Sequence, residues 1–247
     1  MTASNETREL RVIDTFLALT DTLVHEFDAI EMLTTLAERS AALLGVSAAG
    51  VILADGKCGL SVAAASSERS RLLEVFAVAI DAGPCVDCVR TGRAVISTDL
   101  TTTEAYERWP RFAAGAAEAG FQAVHALPMR LRDEVVGVLT LLHVAPHILG
   151  AADERLGRAL ADAATIGLLH ERALRHAETV SEQLQGALDS RVVIEQAKGT
   201  LAQQADVSPD EAFTLLRACA RGRGIRLTEL ARQVVQRRVD LSVRSSA

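Results

Sequence analysis

The sequence predicts an α+β domain with one antiparallel sheet, joined by a long coiled-coil helix to an all-α module of three helices. Three observations lead to this fold class. In the first part of the chain, short apolar runs separated by turn signals alternate with segments of helical spacing. Proline is then absent from Ala151 to Ala205, where apolar residues recur at steps of three and four. Further helices with clear start and stop signals follow this stretch.

The first part begins with helical spacing over residues 8–44, where we expect Asp28 to cap the second of two helical pieces. Two apolar runs, 48–54 and 58–65, predict a hairpin around the turn Asp55-Gly56-Lys57. The remaining predicted elements are a helix over 68–80, a short helix ending at Thr91-Gly92, a strand over 94–98, a helix over 111–119 and strands over 121–130 and 135–144. This order of elements predicts one antiparallel sheet with helices on its faces.

The long helix predicted from Ala151 to about Ala205 would span roughly 80 Å at about 1.5 Å per residue, too long for one small domain. Its apolar stripe consists of Ile166, Leu169, Ala173, Ala177, Val180, Leu184, Ala187, Ile194 and Leu201. This spacing favours a two-helix seam, with a stutter at Ala173–Ala177, and hence a homodimer. The alternative is two separate helices with a break near Gly186 or Asp189.

The segment Ser208-Pro209-Asp210-Glu211 is a strong helix start. Ser208 acts as the cap, Pro209 takes the first helical position, and Glu211 completes a capping box. We expect this helix to end at Gly222 and the last helix to begin at Thr228 as its cap. The residues predicted to face inward are Ala212, Leu215, Leu216, Cys219, Leu230, Val234 and Val235.

Charge divides the chain. Residues 1–175 hold 16 basic and 23 acidic side chains, a net charge of −7, whereas the segment from Arg191 to Arg238 holds nine and five, a net charge of +4. The local excess indicates a polyanion partner, and a solvated helical surface is the alternative. Lys198 is one of only two lysines and lies on one helical face with Arg191, seven residues away. The adjacent Gly199 indicates that something approaches this helix closely.

Several classes of protein are disfavoured by composition. No apolar stretch of 18 residues is present, and the N-terminus lacks the features of a signal peptide, so neither a membrane protein nor a secreted one is expected. Four cysteines do not make a disulfide framework, which favours a reducing cytoplasm. No dinucleotide-binding or phosphate-loop motif occurs, and no nucleophile–base pair or metal constellation is evident. We therefore expect no enzymatic activity, and no cofactor is predicted.

Cys85 and Cys88 form a C-x-x-C pair with two alternative interpretations. They are structural or incidental, or they sense redox state, since this spacing can bring two sulfurs to one side of a helical turn. A zinc or iron–sulfur site normally needs four ligands, and only Cys58 is a near candidate for a third. His125 and His143 fall in strand patterns, where a single histidine is usually a core or edge residue. No metal site is therefore predicted.

The first part resembles the GAF domain, a small-molecule sensor fold, over residues 10–170. The resemblance rests on the element order and on the segments Gly83-Pro84-Cys85, Arg90-Thr91-Gly92-Arg93-Ala94-Val95, Leu127-Pro128-Met129 and Val136-Gly137-Val138-Leu139. It implies a small-molecule or redox signal of unknown identity. The signature of the members that bind cyclic nucleotides is not visible, so cyclic nucleotide binding is not expected.

The last part, residues 191–240, resembles the ANTAR domain, and residues 171–190 form a coiled-coil linker before it. The matching segments are Ser190 to Leu201, Ser208 to Phe213, Leu216-Arg217, Ala220 and Leu227 to Ala231. Where the family often has a bulkier apolar pair ending in Met, this chain has Thr200-Leu201-Ala202-Gln203. The resemblance implies a three-helix RNA-binding module that binds paired hairpin loops in nascent transcripts and prevents a terminator from forming.

These observations predict a cytoplasmic, signal-responsive transcription antitermination regulator that binds RNA hairpins as a homodimer. The candidate RNA-binding residues are Arg191, Lys198, Gly199, Arg217, Arg221 and Arg223. The alternative is a DNA-binding transcription regulator with a small-molecule- or redox-sensing GAF-like domain. In that case the last helix would read bases, and only Arg232 and Gln233 are suited to do so.

Overall fold

The computed structural model of the chain describes residues 2–21, 28–55 and 59–236. The chain divides into two compact units after Ala173. The first unit contains a sheet with helices on both faces, and the second is helical. The predicted fold class is therefore confirmed.

The described residues of the first unit form one five-stranded sheet in which all neighbouring strands are antiparallel. Its strands are β1 (Ala48–Ala54), β2 (Leu60–Ala65), β3 (Val95–Ser97), β4 (Ala123–Leu131) and β5 (Glu134–His143), in the spatial order β2-β1-β5-β4-β3. Gly137 of β5 is required at its position, because a Cβ there would lie 2.4 Å from the backbone oxygen of Ile52 on β1. The predicted turn residues Gly56, Lys57 and Cys58 lie outside the described residues.

The helices of the first unit mostly follow the predicted order. They are α1 (Thr2–Asp21), α2 (Ala29–Leu44), α3 (Glu68–Ala79), α4 (Pro84–Thr91), α5 (Thr103–Arg108), α6 (Pro110–Glu118) and the first part of α7 (Ala151–Ala205). Asp28 caps α2 as predicted, since its Oδ1 accepts from the backbone N–H of Ile30 at 2.8 Å. The short helix α5 was not predicted, because its six residues are too few to show a period.

Each face of the sheet has its own apolar core. One core joins the sheet to α2 and the first part of α7, whose Leu160, Ala161, Ala164 and Leu168 are buried in it. The other core joins the opposite face to α3, α4, α5 and α6. Strand residues alternate between the two cores, as the two-residue period of a strand requires. For example, Leu139 and Leu141 face one core, whereas Val138 and Leu142 face the other.

The second unit is built from the last part of α7, α8 (Pro209–Arg223) and α9 (Leu227–Val235). Its core consists of Ala197, Leu201, Ala212, Leu216, Ala220, Leu230, Ala231 and Val234. The predicted capping box is confirmed: the Ser208 hydroxyl accepts from the backbone N–H of Glu211 at 3.3 Å, and Glu211 Oε2 accepts from the backbone N–H of Ser208 at 2.9 Å.

Four predicted details of the second unit are wrong. α8 runs past Gly222 and ends at Arg223, because Gly224 rather than Gly222 takes the left-handed cap conformation, with φ of 63°. Thr228 lies inside α9, whose N-cap is Arg226 without a side-chain cap bond. Leu215 is 44% exposed and Val235 is also exposed. Each helix turns fewer of its apolar residues toward the core than their number in the sequence suggested.

Glu74 of α3 is a buried acid that faces β1 of the sheet. It is 2% exposed, and its carboxyl lies so close to β1 that a Cβ on Gly50 would be 2.2 Å from Oε1. Neither carboxyl oxygen has a partner with hydrogen-bond geometry, although the nearby Thr140 hydroxyl lowers the pKa somewhat. Burial dominates and raises the pKa of Glu74 from 4.5 to about 8. Glu74 is therefore mostly protonated in the folded protein at neutral pH.

Replacing Glu74 by Gln should remove a pH dependence of stability. The folded state holds this proton more tightly than the unfolded state, so the wild-type chain loses stability as the pH rises from 4.5 to about 8. At pH 8.5 the free energy of unfolding of Glu74→Gln should therefore exceed that of the wild type, by up to about 3–5 kcal/mol. At pH 4.5 the two free energies should differ little. Urea unfolding followed by the fluorescence of Trp109, the one tryptophan, reports on this unit.

Glu68→Gln, at an exposed position on the same helix, is the matched control and should keep the wild-type pH dependence. If the free energy of unfolding depends on pH in the same way for Glu74→Gln and the wild-type chain, the pKa of Glu74 is not raised in the folded protein.

Candidate functional site

The candidate basic surface of the second unit begins on α7. Arg191 is exposed, and Lys198 is half-buried, with 20% of its side chain accessible. Lys198 Nζ lies 2.9 Å from Glu195 Oε2, and 57% of the Glu195 side chain is exposed. An ion pair with one partner largely exposed contributes about 1 kcal/mol. The Lys198 ammonium is therefore held by a weak contact that a phosphate can replace.

The apolar stripe on α7 divides at Arg191. Beyond it, Ile194 and Leu201 point into the core of the second unit instead of continuing a seam between two copies. This part of the seam prediction is wrong, because α8 and α9 cover these side chains. Before Arg191, the apolar residues Leu174, Val180, Leu184 and Leu188 are exposed.

Gly199 lies in the interior of α7 next to Lys198 and is exposed. A Cβ at this position would meet no atom within 4 Å other than the helix's own nearby backbone. No other part of the described chain therefore uses the close approach that Gly199 offers. Glycine inside a helix costs about 0.5–1 kcal/mol relative to alanine, and no contact within the described chain offsets this cost. The open space at Gly199 leaves room for a partner from outside.

The arginines of α8 and the following loop are exposed. Arg217 and Arg221 are four residues apart and share one face of α8, while Arg223 is the last residue of that helix. Arg226, the N-cap of α9, is also exposed and was missed among the candidates, although it lies only three residues after Arg223. The core of the second unit holds the α7, α8 and α9 segments that carry these side chains in one compact body.

A cavity of about 600 Å³ lies in the first unit, between α4, the strand ends and the β4–β5 turn. Its apolar wall includes Val86 and Val89 of α4, and its charged lining consists of Asp81, Arg90, Arg130 and Asp133. Arg90 Nη2 pairs with Asp81 Oδ2 at 2.5 Å, and Arg130 Nη1 donates to the Gly92 carbonyl at 2.9 Å. The cavity thus offers a mixed polar and apolar lining to a small molecule.

Cys85 and Cys88 lie on α4 in the core, and their thiols are not joined. The Cys88 thiol donates to the Ala126 carbonyl at 3.5 Å. Burial raises the pKa of both thiols to about 12, and thiolates are the reactive form of cysteine. These features favour the structural interpretation, and the redox hypothesis stays a prediction. Cys58, the candidate third ligand, lies outside the described residues.

Within residues 2–21, 28–55 and 59–236, no group of three or more His, Cys, Asp or Glu side chains is arranged to hold a metal ion. Among the helices of this same part of the chain, none combines the length and apolar character needed to cross a membrane.

Solved structures support the fold of the first unit. The GAF domain of a phosphoenolpyruvate-protein phosphotransferase from Coxiella burnetii aligns with a TM-score of 0.52 at 16% identity, covering 68% of this chain and 98% of that one. The corresponding GAF domain from Acinetobacter gives a TM-score of 0.51 at 16% identity, over 65% and 94%. A free methionine-R-sulfoxide reductase from Neisseria meningitidis, in complex with its substrate, gives 0.50 at 15% identity, over 66% and 91%. At such identities these likenesses show the fold alone.

Family models identify both units, whereas no curated protein matches the chain. The model of the GAF domain matches residues 28–169, which is more than half of the chain, and the model of the ANTAR domain matches residues 182–235. The second match contains every candidate basic residue from Arg191 to Arg223. The chain therefore belongs to the GAF domain family and has the GAF–ANTAR architecture, a sensor domain followed by an ANTAR domain.

Proposed function

We propose that this protein is a signal-responsive regulator that binds hairpin loops in nascent transcripts and thereby prevents termination. The observation that carries the proposal is the set of basic side chains on a helical unit with its own core, within the ANTAR match. The set consists of the exposed Arg191, Arg217, Arg221 and Arg223 and the half-buried Lys198, with the exposed Arg226 added from the structure.

The chemistry of these side chains suits an RNA loop. Proteins read RNA sequence mainly in loops, where unstacked bases stack on aromatic rings or on guanidinium planes. The second unit contains no tryptophan or tyrosine, so stacking falls mainly to its arginines. Arginine also binds phosphate through two parallel hydrogen bonds, whereas Lys198 acts as a point charge. The basic residues thus supply both base contacts and backbone contacts.

The distribution of these residues favours RNA over duplex DNA. A helix-turn-helix protein places base-reading side chains on one recognition helix in the major groove. α9 offers only an exposed Arg232 and a half-buried Gln233 for this role. The other basic residues are spread over α7, α8 and the loop after α8. Binding to duplex DNA is therefore the outcome that would replace this proposal.

We propose that the GAF domain senses a small molecule in its cavity without catalysing a reaction. An enzyme is found on the same fold, so the fold does not decide between the two roles. The raised pKa of the Cys85 and Cys88 thiols supports a non-catalytic role, since neither is poised as a nucleophile. The cavity volume of about 600 Å³ is typical of small-molecule sites.

We further propose that two copies associate through the middle of α7. Residues 172–189 are exposed along their whole length, and a single helix of this kind gains no stability from packing. Val180 and Leu184 of the predicted stripe, together with the neighbouring exposed Leu174 and Leu188, would be covered by the same residues of a second copy. The seam ends before Arg191, because the following apolar residues belong to the core of the second unit.

Lys198→Ala should weaken binding to an RNA hairpin by about 5- to 30-fold, the loss of one charge-assisted contact worth about 1–2 kcal/mol. Binding of the full chain to a labelled hairpin pool, with duplex DNA as competitor, measures this effect. Arg172→Ala, at an exposed basic position on the same helix before the ANTAR match, is the control and should bind as the wild type does.

Gly199→Ala extends the same experiment. A methyl group at either Gly199 or Gly186 meets open space, so each Gly→Ala change should stabilise the helix by up to about 1 kcal/mol. Only Gly199→Ala should weaken hairpin binding, because Gly186 lies outside the basic surface. Equal hairpin binding by Lys198→Ala, Gly199→Ala and their controls, or a preference for duplex DNA, would reject the RNA proposal.

The dimer is tested separately by light scattering of the full chain. The wild type should have twice the chain mass of 26.3 kDa, and Leu184→Glu should shift it toward 26.3 kDa by placing a charge in the seam. Thr179→Glu adds the same charge at an exposed position on the other side of the helix and should leave the dimer intact. A wild-type chain that stays at 26.3 kDa at every concentration would show that the exposed stripe is not a seam.

A further inference from the structure

Three histidines of the first unit lie together where β5 ends and the chain continues toward α7. The rings of His143 and His147 are stacked, with centroids 4.4 Å apart and planes within 5° of each other. His125, on β4, meets His147 edge-on at a centroid distance of 6.3 Å. The proposed RNA-binding and sensing functions use none of these side chains.

Hydrogen bonds tie the cluster to the segment that follows β5. The backbone N–H of Ala145 donates to Nδ1 of His143 at 3.2 Å. The His143 side chain therefore holds the start of this segment through its backbone. The same segment is held by a second bond, from the backbone N–H of His147 to the Thr98 carbonyl at 3.0 Å.

His125 is the buried member of the cluster, with 3% of its surface exposed. The titratable groups that act on it are His147 and His143, together with Glu154 in the first turn of α7, which pairs with Arg158 at 2.5 Å. Burial first, and then the neighbouring imidazoles, lower the pKa of His125 from 6.5 to about 4, and Glu154 offsets this only in part. A proton on His125 is therefore strongly disfavoured while the cluster is closed.

We propose that His125, His143 and His147 form a proton-sensitive latch, which holds residues 144–150 and the first turn of α7 in place and releases them when His125 takes up a proton. Leu149, which lies in this segment, is buried in the core shared with α7. Because α7 is continuous from Ala151 to Ala205, the released turn belongs to the helix that reaches the ANTAR domain. Acidification thus acts on the N-terminal turn of that helix.

The sign and size of the effect follow from linkage. The closed state binds the His125 proton more weakly than an open state with an ordinary histidine, so the latch loses stability as the pH falls from 6.5 toward 4. Between pH 7.5 and pH 5.5, the population of the open state should rise about tenfold from His125 alone.

Hydrogen exchange of the full chain, followed by mass spectrometry at both pH values in a chelating buffer, measures this opening. After correction for intrinsic exchange rates, peptides covering residues 144–154 should exchange about tenfold faster at pH 5.5. Peptides covering α4 should show little change in exchange rate. This helix is closed by the backbone N–H of Gly92, which donates to the Cys88 carbonyl at 2.9 Å. An equal increase in both regions would indicate global unfolding and would overturn the latch.

Variants separate the latch from a general effect of acid. His125→Gln should reduce the tenfold ratio to near one. His125→Asn, with a shorter side chain, should do the same if the glutamine variant does not fold. His176→Gln, at an exposed position on α7, should keep the wild-type ratio. A wild-type ratio near one, or an unchanged ratio in the foldable cluster variants, would overturn the proposal.

Discussion

One helix contributes side chains to two hydrophobic cores, and both halves of the protein depend on it. Near its start, Leu160, Ala164 and Leu168 of α7 cover one face of the sheet. Near its end, Ala197 and Leu201 fill the core of the ANTAR domain. Without these two residues, α8 and α9 alone would bury too little apolar surface to fold, since so small a helical unit has a marginal core.

This dependence explains why the basic surface and the core lie on the same helix. Ala197 is fully buried, whereas Lys198 beside it is half-buried and Gly199 is exposed. The helical rotation of about 100° per residue makes one short segment serve packing and binding together. A change in how this part of α7 packs therefore alters the placement of Lys198 directly. In the proposed function, a ligand in the GAF cavity would regulate RNA binding only to the extent that it binds two states of the chain with different affinity.

The sequence predicted those elements whose determinants are local. Asp28, Ser208 with Glu211, and Gly92 act through hydrogen bonds or dihedral angles within a few residues, and each was placed correctly. Leu215 and Thr228 were misplaced, because the face that a helical residue presents and the exact first residue of a short helix depend on neighbouring helices. The end of the seam at Arg191 was missed for the same reason: spacing alone does not reveal which partner covers Ile194 and Leu201.

The basic residues of the site were identified from the sequence, whereas their surroundings were not. Lys198 was singled out by its rarity and position, but its pairing with Glu195 required coordinates. The burial of Cys85, Cys88 and Glu74 depends on elements distant in sequence, and so does the meeting of His125 with His147. Chemistry that arises from long-range packing leaves little trace in a single sequence.

The most direct test of the account is the salt dependence of hairpin binding by the full chain. If about four phosphates are neutralised by the basic surface of the ANTAR domain, the logarithm of the association constant should fall with the logarithm of salt concentration at a slope near −3. The acidic first part of the chain, with its net charge of −7, cannot produce such a slope by itself. An affinity that does not change with salt would contradict the claim that this surface binds RNA.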